Sequence, residues 1–147
     1  MNLIIKYHSI KVLEDHIYGI ILEINKHTYF APLSSPKSAH KKYFVNPSYM
    51  NIGENEDLGI IRFNNMIPVN KKYLTYIDFN TIKDRTYKKL LEKQNRFIQK
   101  HTDNIRKQAN LLYRLIVDKE DLFLKRISCN FKLLEEKCKQ YTSKKQK

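Results

Sequence analysis

The spacing of apolar residues changes once along this chain, and that change limits its fold more than any other feature. In the first half, Asn2–Tyr7, Ile17–Ile24, Thr28–Leu33, Leu58–Phe63 and Tyr73–Phe79 are short apolar, β-branched runs separated by polar connections, the pattern of strands. Met66–Val69 reads as a further short strand interrupted by Pro68, and Ile10–Glu14 as a strand or a short helical turn. In the second half, Tyr87, Leu90, Leu91, Gln94, Phe97 and Ile98 fall on one face of a helix. Thr102 and Asp103 are a candidate N-cap for a second helix, with Ile105, Ala109, Leu112 and Ile116 inward. Asn130 is the candidate N-cap of another, with Phe131, Leu134, Cys138 and Tyr141 inward and Glu135 and Glu136 outward. Strands first and helices after describe an α+β domain, not an alternating α/β one.

The connections carry their own expectations. Asn25-Lys26-His27 lacks glycine, so a turn of three or more residues is expected between its two strands. Residues 34–57 are rich in Ser, Pro, Asn and acidic residues and read as a long loop with one helical turn, a length more often functional than idle. At 147 residues the chain suits a single domain, assigned to 1–141, and 142–147 reads as a basic disordered tail. Two cysteines without a CxxC or a Cys/His cluster suggest neither a disulfide framework nor structural zinc, and no cofactor or metal is expected. The longest apolar run, Ile17–Leu22, falls far short of the roughly 20 residues that span a bilayer. A cytoplasmic protein without membrane attachment is expected.

Charge divides along the same line as hydrophobic period. Residues 1–70 hold 7 basic and 6 acidic residues, and residues 71–147 hold 21 and 9, so nearly all of the net +13 lies in the second half. Such an asymmetry points to a polyanionic partner, with a merely solubilising surface as the plain alternative. The first long helix carries Arg85, Lys88, Lys89, Lys93, Arg96 and Lys100 opposite its apolar face, and Arg106 and Lys107 follow on the next.

The stretch with chemical character is Tyr29-Phe30-Ala31-Pro32-Leu33-Ser34-Ser35-Pro36-Lys37. A strand stops at Leu33, two hydroxyls follow, Pro36 stiffens the backbone, and Lys37 stands two residues after Ser35. Hydroxyls and an ammonium on a rigid strand end can converge on one phosphate or oxyanion. From spacing alone, a Ser-Pro turn after a hairpin strand followed by a solvated lysine is the plainer reading.

This stretch, with Gly19-Ile20-Ile21-Leu22-Glu23-Ile24 before it, resembles the type III toxin–antitoxin endoribonuclease toxins, the ToxN/AbiQ family. Three further segments fit in order: Leu58-Gly59-Ile60 with Asn65-Met66-Ile67-Pro68-Val69, the helix bearing Tyr87, Leu91, Gln94 and Phe97, and Cys129-Asn130-Phe131-Lys132-Leu133-Leu134-Glu135-Glu136-Lys137. The resemblance implies an α+β fold with a twisted antiparallel sheet like that of MazF and Kid, decorated by about four α-helices. It also implies a metal-independent ribonuclease that uses 2′-hydroxyl attack to leave a 2′,3′-cyclic phosphate and a 5′-hydroxyl. The implied partners are a small repeat-derived pseudoknot antitoxin RNA, which the toxin processes and which inhibits it in a closed toxin–RNA oligomer, and cellular or phage mRNA as substrate. Abortive infection against phage is the implied role.

Carried over to this chain, the family's essential serine falls on Ser35, its neighbouring hydroxyl on Ser34 and its motif lysine on Lys37. The family's second lysine has no counterpart in Glu14-Asp15-His16-Ile17-Tyr18. His16 is the candidate to replace it as general base, with His40 as another and a solvated surface role as the alternative. Tyr29 reads as core. For RNA, Lys41 and Lys42 join the basic helix face as phosphate contacts, while Asn64, Asn65, Tyr43, Phe44 and Tyr49 are candidates to read bases. A non-catalytic basic RNA- or DNA-binding module is the competing reading.

Overall fold

The computed structural model describes residues 4–8, 16–35, 47–53 and 57–145, with side chains over 18–35, 47–53 and 57–141. Seven strands form one sheet: β1 (Ile4–His8), β2 (His16–Ile24), β3 (His27–Ser34), β4 (Tyr49–Ile52), β5 (Gly59–Arg62), β6 (Ile67–Pro68) and β7 (Leu74–Tyr76). Their order is β4-β5-β3-β2-β1-β7, with β6 paired to β3, and every pairing is antiparallel. The helices follow as α1 (Arg85–Lys100), α2 (Thr102–Val117), α3 (Leu122–Ile127) and α4 (Phe131–Lys145). The α+β class follows the change of period read from the sequence, and the antiparallel sheet is the one the family resemblance implied.

Alternation along the central hairpin decides which face is covered. Ile20, Leu22, Ile24, Tyr29 and Ala31 are buried in the same core as Leu91 and Ile98 of α1, Ile105, Ala109, Leu112 and Ile116 of α2, Leu124 of α3 and Phe131 of α4. The helices therefore cover one face of the sheet. Phe30, at the alternate position, is also buried but on the other face.

Several elements depart from the sequence reading, each for a local reason. The β2–β3 connection is a two-residue turn, because Ile24 pairs directly with His27. Asn25 and Lys26 both take positive φ, 50° and 63°, as a type I′ turn requires. Asparagine tolerates that conformation, but lysine gives no signal for it. β4 lies inside the region read as a loop; it is a four-residue edge strand that forms a hairpin with β5. Thr102 is the first residue of α2, not its cap. His101 occupies the cap position but its side chain does not cap the helix; its Nδ1 lies 2.9 Å from the Phe97 carbonyl instead, and the Thr102 hydroxyl donates to the carbonyls of Ile98 and Gln99. The helix backbone of α4 continues to Lys145, past residue 142 where the tail was expected.

The largest correction concerns Glu135. It is only 4% exposed, on the inner face of α4 one turn after Phe131. Its carboxylate accepts hydrogen bonds from Tyr29 Oη at 2.6 Å and Tyr113 Oη at 2.8 Å. His27 Nε2 and Lys132 Nζ lie 3.5 and 3.6 Å away. Burial alone would push this carboxyl up, but the two phenol hydrogen bonds and the nearby His27 and Lys132 outweigh it and hold it below the usual range. The same contacts, after burial itself, push the Tyr29 and Tyr113 hydroxyls up. Tyr29 is thus a core residue with a buried polar partner, whereas Tyr141, expected inward, is 44% exposed.

Candidate active site

The end of β3 sits where the sheet divides. On one side its ladder with β2 stops at Gly19–Pro32; on the other it continues with β5 through Leu33–Ile61 and Ser34–Ile60. Ser34 is the last strand residue, and Ser35 follows it, exposed to solvent. The two hydroxyls therefore sit on a backbone held from one side only, at the rim of the sheet.

Two residues to which the sequence reading gave no part in the site shape this rim. Arg62, the last residue of β5, donates its Nε–H to Ser34 Oγ at 3.0 Å. Gln94, buried on the inner face of α1, donates its Nε2–H to the carbonyl of Leu58 at 2.7 Å. Between them lies Gly59, at φ +132°, where a Cβ would stand 2.7 Å from the Ser34 carbonyl oxygen and 3.1 Å from Gln94 Nε2. Only glycine fits there, because the backbone of β5 passes so closely under Ser34. Gln94 was read as one more position of an apolar face, and its amide gave no hint of a backbone partner.

The other expected site residues divide into three groups. Lys37, Lys41 and Lys42, with His40, Tyr43 and Phe44, lie outside the described residues. His16 opens β2 opposite His8, and counting from Gly19–Pro32 sets it level with Ser35, although the ladder itself has ended; its side chain lies outside the described residues. Asn64 is engaged by the fold: its Nδ2 donates to the Ile127 carbonyl at 3.0 Å, and its own carbonyl accepts from Cys129 N. Asn65 beside it is exposed, and Tyr49 is half-buried in β4 with its carbonyl accepting from Gln108.

The basic face of α1 forms as the period requires. Asp84 caps it by accepting from the backbone N–H groups of Thr86 and Tyr87. Leu91, Gln94, Asn95 and Ile98 are buried. Arg85, Lys89, Arg96 and Lys100 are exposed on the opposite side, flanked by half-buried Lys88 and Lys93. Lys88 Nζ lies 4.0 Å from Glu92 one turn on. Arg106 and Lys107 are exposed on α2. The first turn of α1 also touches β2: the rings of Tyr18 and Tyr87 meet edge-on at 5.7 Å. Burial, with the Tyr18 hydroxyl beside it, pushes the Tyr87 hydroxyl up to about 12. Among the described residues no group of three His, Cys, Asp or Glu side chains is placed to hold a metal ion, and no helix is long and apolar enough to cross a membrane.

Known proteins match this chain along almost its whole length. The family model described as toxin ToxN of type III toxin–antitoxin systems matches residues 7–139. The Endoribonuclease ToxN of Pectobacterium atrosepticum is 34% identical over 128 residues, which span 84% of this chain and 72% of that protein. A solved structure described as a bacterial antiviral system regulated by a processed non-coding RNA aligns with a TM-score of 0.74 at 28% identity, covering 90% of this chain and 83% of its own. Another, described as a type III system whose toxin is selectively inhibited by a non-coding RNA pseudoknot, aligns with a TM-score of 0.71 at 30% identity, covering 86% and 79%. The chain belongs to the ToxN toxin family of type III toxin–antitoxin systems.

Proposed function

We propose that this protein is an endoribonuclease toxin that cuts RNA without a metal, by attack of the 2′-hydroxyl on the adjacent phosphate. The products are a 2′,3′-cyclic phosphate and a 5′-hydroxyl. The observation that carries the reading is the match at 34% identity to a named endoribonuclease, together with two adjacent hydroxyls at a strand end outside the core. The RNA supplies its own nucleophile, so the protein has three tasks: to take the 2′ proton, to stabilise the charge that grows on the phosphorane, and to return a proton to the leaving oxygen. Ser35 and Ser34 hydrogen-bond the scissile phosphate, and Lys37 neutralises its equatorial oxygens. His16 is the candidate general base, having a pKa suited to proton transfer near neutrality.

The same reading makes RNA both substrate and inhibitor. Cellular or phage mRNA is cut. The protein's own repeat antitoxin RNA is trimmed to pseudoknot units, which bind back in a closed toxin–RNA oligomer. Inhibition by a pseudoknot in one solved relative and an antiviral setting in another support this assignment, and phage defence in the cytoplasm is the role. The exposed stripe of α1, with Arg106, Lys107, Lys41 and Lys42, holds phosphates, and Asn65 contacts bases. The sheet is taken as a variant of the MazF/Kid architecture. If six to ten phosphate contacts form, binding weakens by about 10³- to 10⁵-fold between 50 and 200 mM salt.

The test is chemical. Bulk cellular RNA is incubated with the protein in EDTA, and the new ends are mapped. Chelator-resistant cleavage leaving cyclic phosphates is expected, and Ser35→Ala abolishes it while leaving RNA binding in place. Cleavage that stops in EDTA, or a fully active Ser35→Ala, refutes the reading. Binding without any cleavage returns the chain to the competing reading of a basic RNA-binding module.

A further inference from the structure

Arg62 touches the site but has no part in the reaction as described above. Its Nε–H donates to Ser34 Oγ at 3.0 Å. A guanidinium carries five N–H donors and no acceptor. Ser34 Oγ must therefore accept on that side, and its own proton is left to be donated elsewhere. The fork also keeps four further N–H groups beside the hydroxyl. Among the described residues no carboxylate pairs with this guanidinium, which stands next to the rim where β3 ends.

A purely structural purpose explains the contact poorly. β3 and β5 are already joined by backbone pairing at Leu33–Ile61 and Ser34–Ile60, and Ile60 and Ile61 are buried. One more half-exposed hydrogen bond adds little to that junction. What it does is keep the Ser34 hydroxyl proton off the Arg62 side, free to be donated elsewhere.

We propose that Arg62 is a positioning residue for RNA cleavage, which holds the Ser34 hydroxyl turned as a donor toward the scissile phosphate. The inference rests on the assignment of Ser34 and Ser35 to phosphate binding. It predicts coupling: the Ser34 contribution exists only while Arg62 orients it.

The experiment is a double-substitution cycle, using a short synthetic RNA copied from the first cleavage site mapped in bulk cellular RNA. Single-turnover rates at saturating protein are measured for the native chain, S34A, R62A, R62K and S34A/R62A. Affinity is read separately with the same RNA carrying a 2′-deoxy residue at the cleaved step. Losing one aligned donor of this kind slows the chemical step by about 10²- to 10³-fold. The expected result is a loss of that order for R62A, with affinity and thermal midpoint unchanged, partial recovery in R62K, and a double variant no slower than R62A. Losses that multiply in the double variant overturn the proposal, as does an R62A defect confined to affinity. If R62A does not fold, R62K and S34A/R62K are compared in the same way, and multiplying losses again overturn it. Ser35→Ala separates the two levels: full activity there removes the underlying assignment, whereas an inactive S35A beside multiplying S34A and R62A losses removes only the role of Arg62.

Discussion

Replacing Glu135 with alanine tests whether the buried carboxylate is a main tie between the sheet and the last helix. The side chain joins β3 through Tyr29, α2 through Tyr113, and the hairpin turn through Asn25, at 3.5 Å, and His27. Hydrogen bonds to a charged partner contribute about 1.5–3 kcal/mol each, and two phenols lose theirs together. What remains is two buried phenols without their acceptor, not an unpaired buried charge, so the two lost bonds together set an expected loss of about 3–5 kcal/mol for E135A. For a domain of this size that is a drop in melting temperature on the order of 10 °C. Urea unfolding followed by circular dichroism measures it, with an unchanged slope as the sign that only stability moved. The pH dependence gives a second reading. The folded-state pKa of Glu135 lies below its unfolded value. Its contribution is therefore whole above about pH 4.3 and is lost as the pH falls further through the lowered value, so the gap between native and E135A should narrow on acidification. Substituting Tyr29→Phe and Tyr113→Phe in E135A should recover part of the loss, because no buried hydroxyl is then left without an acceptor. An E135A variant within about 0.5 kcal/mol of the native chain, the scatter of ordinary surface substitutions, would refute the reasoning.

Two further predictions concern the rim and the basic helix. Gly59→Ala should cost about 1–3 kcal/mol from its φ of +132°. It should also slow cleavage further, by pushing a methyl against the Ser34 carbonyl; unchanged melting and unchanged rate together would show that β5 moves freely there. Lys89→Gln and Arg96→Gln, both on the exposed stripe of α1, should weaken RNA binding and lower the salt slope by about one unit each, with little effect on melting. Filter binding across a salt series measures this, and an unchanged slope would remove the stripe from the interface.

Much of the fold was legible because it depends on local spacing. The apolar repeat of α1 and its basic opposite face follow from Tyr87 to Ile98 at helical intervals, and α1 forms there with Leu91 and Ile98 buried. The alternation in Ile20, Leu22 and Ile24 likewise assigns one face of β2 to the core. The site was legible only in part: Ser34 and Ser35 do fall at a strand end, as their position before Pro36 suggested, but their neighbours were hidden. Arg62 is 28 residues from Ser34 in sequence and Gln94 is 36 from Leu58, and no periodicity reports on contacts at that range.

By itself, then, the sequence determined the class of the domain, the strand–helix division, the amphipathic faces and the family resemblance, because each is written in neighbouring residues. The tertiary structure alone decided three things. It turned Glu135 inward, since β3 and α2 together present two tyrosine hydroxyls that can satisfy a carboxylate there. It closed the β2–β3 turn in two residues, because the register of the flanking strands imposes positive φ on Asn25 and Lys26. It set a guanidinium against Ser34, because antiparallel pairing carries the end of β5 past the end of β3. All three depend on which distant strands and helices meet, and that is settled only when the chain packs.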